Sequence, residues 1–316
     1  MQPEEIHRIA TALGGAVAGT SNLAGGFSHE TTLLTLADRQ VVARLGGPDP
    51  AIEAAVMAAA RRHVPVPEVL LLLPAEDGDQ GARPAMVLEH VPGTPLDHVL
   101  FGAEHDQAAL GDLGAEVGRV VAAVSAVRFE RPGFFADEHL TVRPGSPWSQ
   151  QLPEFAETCM AATPNARLDL ATRRAWAGLC AAHAPALAGV DGQARLVHAD
   201  VNPKNILVTR TRSGGWRVDA LLDWEFGYSG CPYGDAANMV RFGAGYPDGF
   251  LDGFRAAFAR HQPADLPLAE DWLYLGRVLD MFALSDLVTR PAGHPVADQA
   301  AERVRRWVRE GVPTSV

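Results

Sequence analysis

The sequence predicts an α+β fold of two lobes, in which a small antiparallel sheet precedes a mainly helical part. Short apolar runs separated by turn residues fill residues 17–88, a pattern typical of antiparallel strands. From residue 106 onward, apolar residues recur at the spacing of amphipathic helices. Between the two regions, the prolines and glycine of Glu89–Leu96 indicate a linker. We therefore expect a first lobe over residues 1–90 and a second over residues 91–316.

The elements of the first lobe follow from apolar spacing and turn residues. We predict a helix over residues 4–14, a strand over Val17–Leu23, a hairpin of Leu33–Leu36 and Val41–Leu45, a helix over Pro50–His63, and strands Leu70–Leu73 and Ala85–Leu88. Residues 64–67 are predicted to be extended, because each proline disfavours helix at the residue before it.

The second lobe is predicted to be helical apart from one hairpin. We expect helices over Asp106–Val127, Leu152–Met160, Leu168–Ala184, Pro232–Met239, Phe250–His261, Glu270–Thr289 and Val296–Arg309. The apolar runs Ile206–Val208 and Ala220–Leu222 are predicted to pair around the polar turn between them.

Composition narrows the classes of function. The 316 residues carry a formal net charge of −11, which disfavours nucleic acid and anionic membranes and favours cationic partners, although acidic proteins are common. The chain has no apolar run long enough for a transmembrane helix, and its first residues lack a signal-peptide pattern. Its three scattered cysteines fit a reducing compartment. We therefore expect a cytoplasmic protein.

One stretch carries a chemical pattern. His198, Asp200 and Asn205 have the spacing H-x-D-x-x-x-x-N, which is the catalytic-loop pattern of protein kinases with alanine in place of the usual arginine. The predicted hairpin would bring Asp223 back beside Asn205. Each of these residues alone is more often a turn former or a helix cap, but together they predict phosphoryl transfer.

Phosphoryl transfer needs a carboxylate beside the attacking hydroxyl and oxygen ligands for Mg²⁺ on the nucleotide phosphates. We assign Asp200 as the catalytic base, and Asn205 and Asp223 as the metal ligands. His198 would brace the loop from behind.

The stretch His198–Asn205, followed by Asp223–Glu225 and Phe226–Met239, resembles the aminoglycoside phosphotransferase family, which comprises antibiotic kinases with a protein-kinase-like fold. Ala199 stands where the family often has glycine. Asp223-Trp224-Glu225 replaces the D-F-G of protein kinases, which suggests a small-molecule kinase. The resemblance implies ATP and Mg²⁺ as cofactors.

Candidate nucleotide contacts lie in the first lobe and the linker. Gly25 and Gly26, between two strands, could let backbone amides approach a phosphate, although the sequence alone favours a plain hairpin turn. The resemblance favours the nucleotide loop, with Ser28 on a phosphate. In a kinase-like fold, the backbone of Glu89 to Val91 would bind the adenine edge.

Three charged residues complete the predicted nucleotide site. Arg44 occupies the place of the kinase lysine and could bind phosphate oxygens, or it could be a surface arginine at a strand end. Glu53 is its candidate partner, or an acid that stabilises a helix N-terminus. Lys204, the only lysine in the chain, could meet a phosphate or could lie in the loop by chance.

Acidic residues are candidates for binding a cationic substrate. Glu225 lies close to Asp223, and Glu270 and Asp271 belong to an acidic series with Asp280 and Asp286 that could equally be a solvated helix face. We also place Asp235 near the substrate, where it could instead cap its helix or hold the catalytic loop by hydrogen bonds. The resemblance favours the loop-holding role.

The expected activity is therefore ATP-dependent O-phosphorylation of a small cationic antibiotic of the aminoglycoside, hygromycin or tuberactinomycin type, which would confer resistance. A metabolic kinase of the same fold, acting on choline, homoserine or a sugar, is the alternative. A nucleotide-binding pseudokinase is a further one. A choline kinase should prefer an aromatic cage, for which Trp148, Trp224 and Trp272, with nearby phenylalanines and tyrosines, are the candidates. The sequence leaves the oligomeric state open.

Overall fold

The computed structural model describes residues 1–23, 29–47, 50–75, 82–102, 107–291 and 293–314. The first lobe contains helices α1 (Pro3–Leu13) and α2 (Pro50–Ala60) and strands β1 (Gly19–Asn22), β2 (Glu30–Thr35), β3 (Gln40–Leu45), β4 (Val69–Leu73) and β5 (Ala85–Glu89). The strands form one antiparallel sheet in the order β1-β2-β3-β5-β4.

Side chains along β3 alternate between the two faces of the sheet, and this alternation decides which side chain reaches the second lobe. Val41, Ala43 and Leu45 are buried in a small apolar core that also contains Ile9 of α1. Successive side chains of a strand point to opposite faces, so Arg44 points away from this core. It meets Glu53 of α2 there.

The second lobe is mainly helical, as predicted. It contains β6 (Thr94–Pro95), α3 (Leu96–Leu100), α4 (Gln107–Val124), α5 (Trp148–Ala162), α6 (Leu170–His183), β7 (Arg195–Val197), β8 (Ile206–Arg210), β9 (Trp216–Leu221), β10 (Tyr228–Gly230), α7 (Tyr233–Val240), α8 (Asp248–Arg260), α9 (Trp272–Leu287) and α10 (Pro295–Glu310). The predicted two-lobed kinase-like fold is confirmed. We keep the boundary near residue 90, where β5 ends, as a proposal.

Two elements differ from the prediction. Helix α5 begins at Trp148, directly after Pro147 and four residues before the predicted start, and it continues through Pro153. The predicted hairpin is present as β8 and β9, and β6 adds a third strand to it.

Helices α4 and α8 cross at unusually close range because glycines lie between them. A side chain at Gly118 would overlap the carbonyl oxygen of Phe254, and one at Gly253 would overlap that of Gly111. The close approach lets Phe250, Phe254 and Phe258 be fully buried. The three phenylalanines belong to the main apolar core of the protein.

Gly118→Ala is expected to lower the free energy of unfolding by about 1–3 kcal/mol, because the added methyl group must push two packed helices apart. Denaturant unfolding measures the change. Gly178→Ala is the matched control, since Gly178 lies in α6 with open space where its methyl group would go. That variant should be unchanged or up to about 1 kcal/mol more stable. Equal effects of the two substitutions would contradict the packing argument.

Candidate active site

The predicted catalytic loop connects β7 to β8, and the hairpin folds back onto it. The amide of Leu222 donates a hydrogen bond of 2.8 Å to the carbonyl oxygen of Asn205, so Asp223 follows directly beside the loop. The Nδ2 of Asn205 donates to Oδ2 of Asp200 at 2.8 Å and to its carbonyl oxygen at 3.0 Å. Asp200, Asn205 and Asp223 thus come together as expected.

A buried carboxylate holds the start of the loop. The two oxygens of Asp235, at the beginning of α7, accept hydrogen bonds from the amides of His198 at 2.9 Å and Ala199 at 2.8 Å. Asp235 is only 1% exposed, so its placement among the substrate-binding residues is wrong and its loop-holding role is present. Burial raises the pKa of this carboxyl group to about 7.

His198 joins the loop to the hairpin. Its Nδ1 accepts from the amide of Asp200 at 3.3 Å, and its Nε2 donates to the carbonyl oxygen of Leu222 at 3.0 Å. The contact at Nδ1 requires a neutral ring with its proton on Nε2, and burial lowers the pKa of His198 to about 4. The ring also packs on Trp224, with ring centroids 4.3 Å apart. His198 therefore braces the loop, as expected.

The expected contact between Arg44 and Glu53 is also present, and Arg44 makes a further contact with Asp223 that was not predicted. Nη1 of Arg44 donates to Oε1 of Glu53 at 2.5 Å, while Nη2 donates to Oδ1 of Asp223 at 2.7 Å. The same Oε1 accepts from the amide of Trp224 at 3.1 Å. Arg44 is 7% exposed and Glu53 is 5% exposed, so this junction between the lobes is buried.

The family of the chain follows from its match to a family profile. Residues 19–272 match the profile of the phosphotransferase enzyme family known as APH. The chain belongs to this family. It is accordingly a kinase that transfers phosphate to a hydroxyl group. No protein in the curated set matches the chain.

Solved structures resemble this phosphotransferase over nearly its whole length. A thermostable variant of aminoglycoside phosphotransferase APH(4)-Ia, in ternary complex with AMP-PNP and hygromycin B, has a TM-score of 0.70 at 17% identity, covering 99% of this chain and 100% of its own. A GDP and kanamycin complex of APH(2″)-IIIa has a TM-score of 0.67 at 14% identity, covering 95% and 98%. A Haemophilus somnus 129PT protein assigned as a fructosamine-3-kinase reaches 0.56 at 13% identity, covering 95% and 98%. These likenesses show the fold.

The oxygen atoms at the site of the phosphotransferase suit a hard divalent cation. The side-chain Nδ2 of Asn205 donates to Asp200, which leaves the side-chain Oδ1 of Asn205 for a metal. Ligand atoms of His29, Asp223 and Glu225 lie within 4.8 Å of one another, but Arg44 reaches into this group and bonds Asp223. Asn205 and Asp223 therefore fit Mg²⁺ without needing the histidine.

The predicted substrate acids lie in two different places. The Glu225 carboxylate is 4% exposed and lies 3.8 Å from Nδ1 of His29, and its role toward a substrate stays a prediction. Glu270 and Asp271 are exposed where α9 begins. Asp280 lies nine residues beyond Asp271 on α9, about 13 Å along the helix. Glu270 and Asp271 thus lie at the start of α9, well separated along the helix from Asp280.

The remaining predicted contacts lie at the lobe boundary, in the loop or outside the described residues. Glu89 pairs with Val41 in the sheet and accepts from the amide of Glu68 at 3.1 Å, and Val91 follows two residues later. Lys204 is exposed. Gly25, Gly26 and Ser28 lie outside the described residues.

Sequence reasoning missed a buried cation whose charge acts on the proposed base Asp200. Arg241 follows α7 directly and donates three hydrogen bonds of 2.6–3.0 Å to Asp280 of α9. Asn238 donates to the same carboxylate at 3.0 Å. Burial raises the pKa of Asp200 to about 6, while the charge of Arg241 acts in the opposite direction. Local spacing gave no signal, because Arg241 and Asp280 are 39 residues apart.

The strain at Ala199 leads to a prediction. Its φ of 69° is left-handed, which costs a residue with a side chain about 1–2 kcal/mol. Ala199→Gly should therefore raise the free energy of unfolding by about 1 kcal/mol. Ala175→Gly, at an exposed interior position of α6, should lower it by about 1 kcal/mol. If both variants lose stability in denaturant unfolding, the strain is not relieved by glycine.

The raised pKa of Asp200 predicts the acid limb of the pH profile. A base must be deprotonated to accept a proton, so kcat/KM should fall tenfold per pH unit below a pH of about 6, two units above an ordinary aspartate. Steady-state rates from pH 4.5 to 8, with any acceptor that the enzyme phosphorylates, measure this limb. Arg241→Gln should move it to higher pH, because a nearby positive charge is lost. A limb near pH 4 would show that burial does not control the ionisation of Asp200.

Proposed function

We propose that the chain is an ATP-dependent O-phosphotransferase that moves the γ-phosphate to a hydroxyl of a small antibiotic. The supporting observation is the convergence of Asp200, Asn205 and Asp223 through the bond between Leu222 and Asn205. A partly buried carboxylate, an amide oxygen and a second carboxylate are the groups that the reaction needs. The intact set also weighs against a pseudokinase.

Each residue has a distinct task in this proposal. Asp200 orients the acceptor hydroxyl and takes its proton from the attacking oxygen. Asn205 and Asp223 would hold Mg²⁺, which neutralises charge on the phosphates when bound. Arg44 would contact the α- and β-phosphates from the first lobe, and the exposed Lys204 would be available to a phosphate from the loop. The phosphorylated product would have lost cationic character, which would weaken binding of an antibiotic to its target.

Two observations support an antibiotic acceptor of the aminoglycoside type. The similar enzymes APH(4)-Ia and APH(2″)-IIIa were solved with hygromycin B and kanamycin. The net charge of −11 favours a cationic partner. A sugar-metabolite kinase is the second candidate, because the fructosamine-3-kinase relative shares the fold.

A choline kinase finds less support in this chain. Trp148 contacts Phe134 and Tyr228, Trp224 packs against His198, and Trp272 packs on Phe258. The three candidate tryptophans therefore lie in separate clusters and do not share one cage, and Trp148 with Phe134 and Tyr228 forms a cluster that brings several rings to a cavity.

A cavity of about 390 Å³ is the proposed place for part of the acceptor. It is lined by residues that include Phe134, Trp148 and Asp191. Tyr228, whose ring contacts both aromatic residues, pairs in β10 with Val197, the residue before the catalytic loop. Both oxygens of Asp191 already accept from Ser149. The cavity therefore offers ring faces, on which a sugar or another ring could pack.

Release of ADP from Mg²⁺-ATP, measured against aminoglycosides, hygromycin B, tuberactinomycins, choline and sugars, tests the function. Asp200→Asn should lower kcat by about 10²–10⁴ with the best acceptor, because it removes the base while nucleotide binding persists. Asp252→Asn, at an exposed position of α8, is the control and should behave like the parent. Phe134→Ala should raise the KM of the acceptor and leave that of ATP unchanged. Parent-like turnover by Asp200→Asn would refute the mechanism.

A further inference from the structure

The imidazole of His29 lies against the buried arginine of the lobe junction. Its Nδ1 is 3.0 Å from Nη2 of Arg44. A guanidinium group can only donate, so Nδ1 must be the acceptor and the ring must carry its proton on Nε2. The side chain of His29 is only 9% exposed. His29 is thus a third acceptor on Arg44, beside Glu53 and Asp223.

The position of the ring is fixed from behind by Gly47. This residue has a φ of 80°, and any side chain there would overlap the Nε2 of His29. Glycine therefore meets two requirements at once, the left-handed backbone and the space for the imidazole. Burial, followed by the charge of Arg44, lowers the pKa of His29 to about 4, which keeps the ring neutral near pH 7.

The three acceptors lie beside two different nitrogens of the guanidinium. Nη1 serves Glu53, while Nη2 serves both Asp223 and His29. A lysine donates its three N–H groups from one nitrogen, so it would not reproduce donation from both of these positions. Asp223 is also a proposed metal ligand, so Arg44 would share it with a cation. Glu53 and His29 are not proposed metal ligands.

We propose that His29 is a positioning residue for nucleotide binding, which acts by fixing the guanidinium of Arg44 through Nδ1. The assignment rests on the proposed function, because it takes Arg44 as the contact for the α- and β-phosphates. This role requires an arginine at position 44. It also means that His29 should affect binding of the nucleotide and not binding of the acceptor.

The test is the Kd of ADP with Mg²⁺, measured by calorimetry without any acceptor. His29→Ala should weaken binding about tenfold, the loss of one hydrogen bond to a charged group. His29→Asn should largely rescue it, because its Oδ1 can occupy the position of Nδ1. His29→Gln should not, because its oxygen lies one atom further out. Gly47→Ala should match His29→Ala, and His139→Ala, at an exposed position, should match the parent.

A double variant separates positioning from simple packing. Arg44→Lys should weaken ADP binding, and adding His29→Ala to it should cause no further loss, because the lysine no longer uses Nδ1. Parent-like binding by His29→Ala, or equal losses for His29→Ala and His29→Asn, would overturn the proposal, provided that thermal unfolding shows folded variants. Failure to phosphorylate any acceptor would affect the proposed function alone. A parent that binds no ADP would refute both.

Discussion

Two buried carboxylates hold the backbone at the points where the site needs left-handed residues. Asp235 binds the amides of His198 and Ala199, and Ala199 has a φ of 69°. Glu53 binds the amide that follows Asp223, whose φ is 67°. Such conformations are unfavourable for residues with side chains, and they persist where the surroundings over-determine them. The reacting groups owe their mutual placement to these bonds between carboxylates and amides.

The two carboxylates act from different lobes. Asp235 belongs to the helical lobe and fixes the loop that carries the proposed base, whereas Glu53 belongs to the sheet lobe and reaches across to the segment of the proposed metal ligand Asp223. Arg44 strengthens the second connection, since it bonds both Glu53 and Asp223. A shift of α2 would therefore disturb a proposed metal ligand and a proposed phosphate contact together. In this arrangement the geometry of the metal site depends on how the lobes meet.

The parts of the site that could be predicted from the sequence are those fixed by short-range order. The loop from His198 to Asn205 and the hairpin after it are continuous in the chain, so spacing alone placed Asp223 beside Asn205. The pairing of Arg44 with Glu53 was predicted by matching this strand and helix to those that carry the lysine–glutamate pair of kinases. The buried pair of Arg241 and Asp280 could not be predicted, because side chains 39 residues apart meet only through helix packing. Charge alone could not position Glu270 and Asp271 relative to the site, since it does not indicate which end of a helix approaches a cleft.

The single lysine of the chain has a practical consequence for chemistry on this enzyme. Lys204 is exposed and lies between Asp200 and Asn205, within the loop that carries the proposed base and a proposed metal ligand. A reagent that acylates amines therefore has one lysine side chain to modify, and that side chain lies at the active site. Mass spectrometry of the labelled protein would report occupancy of the cleft directly, without the background that dozens of surface lysines create in most kinases.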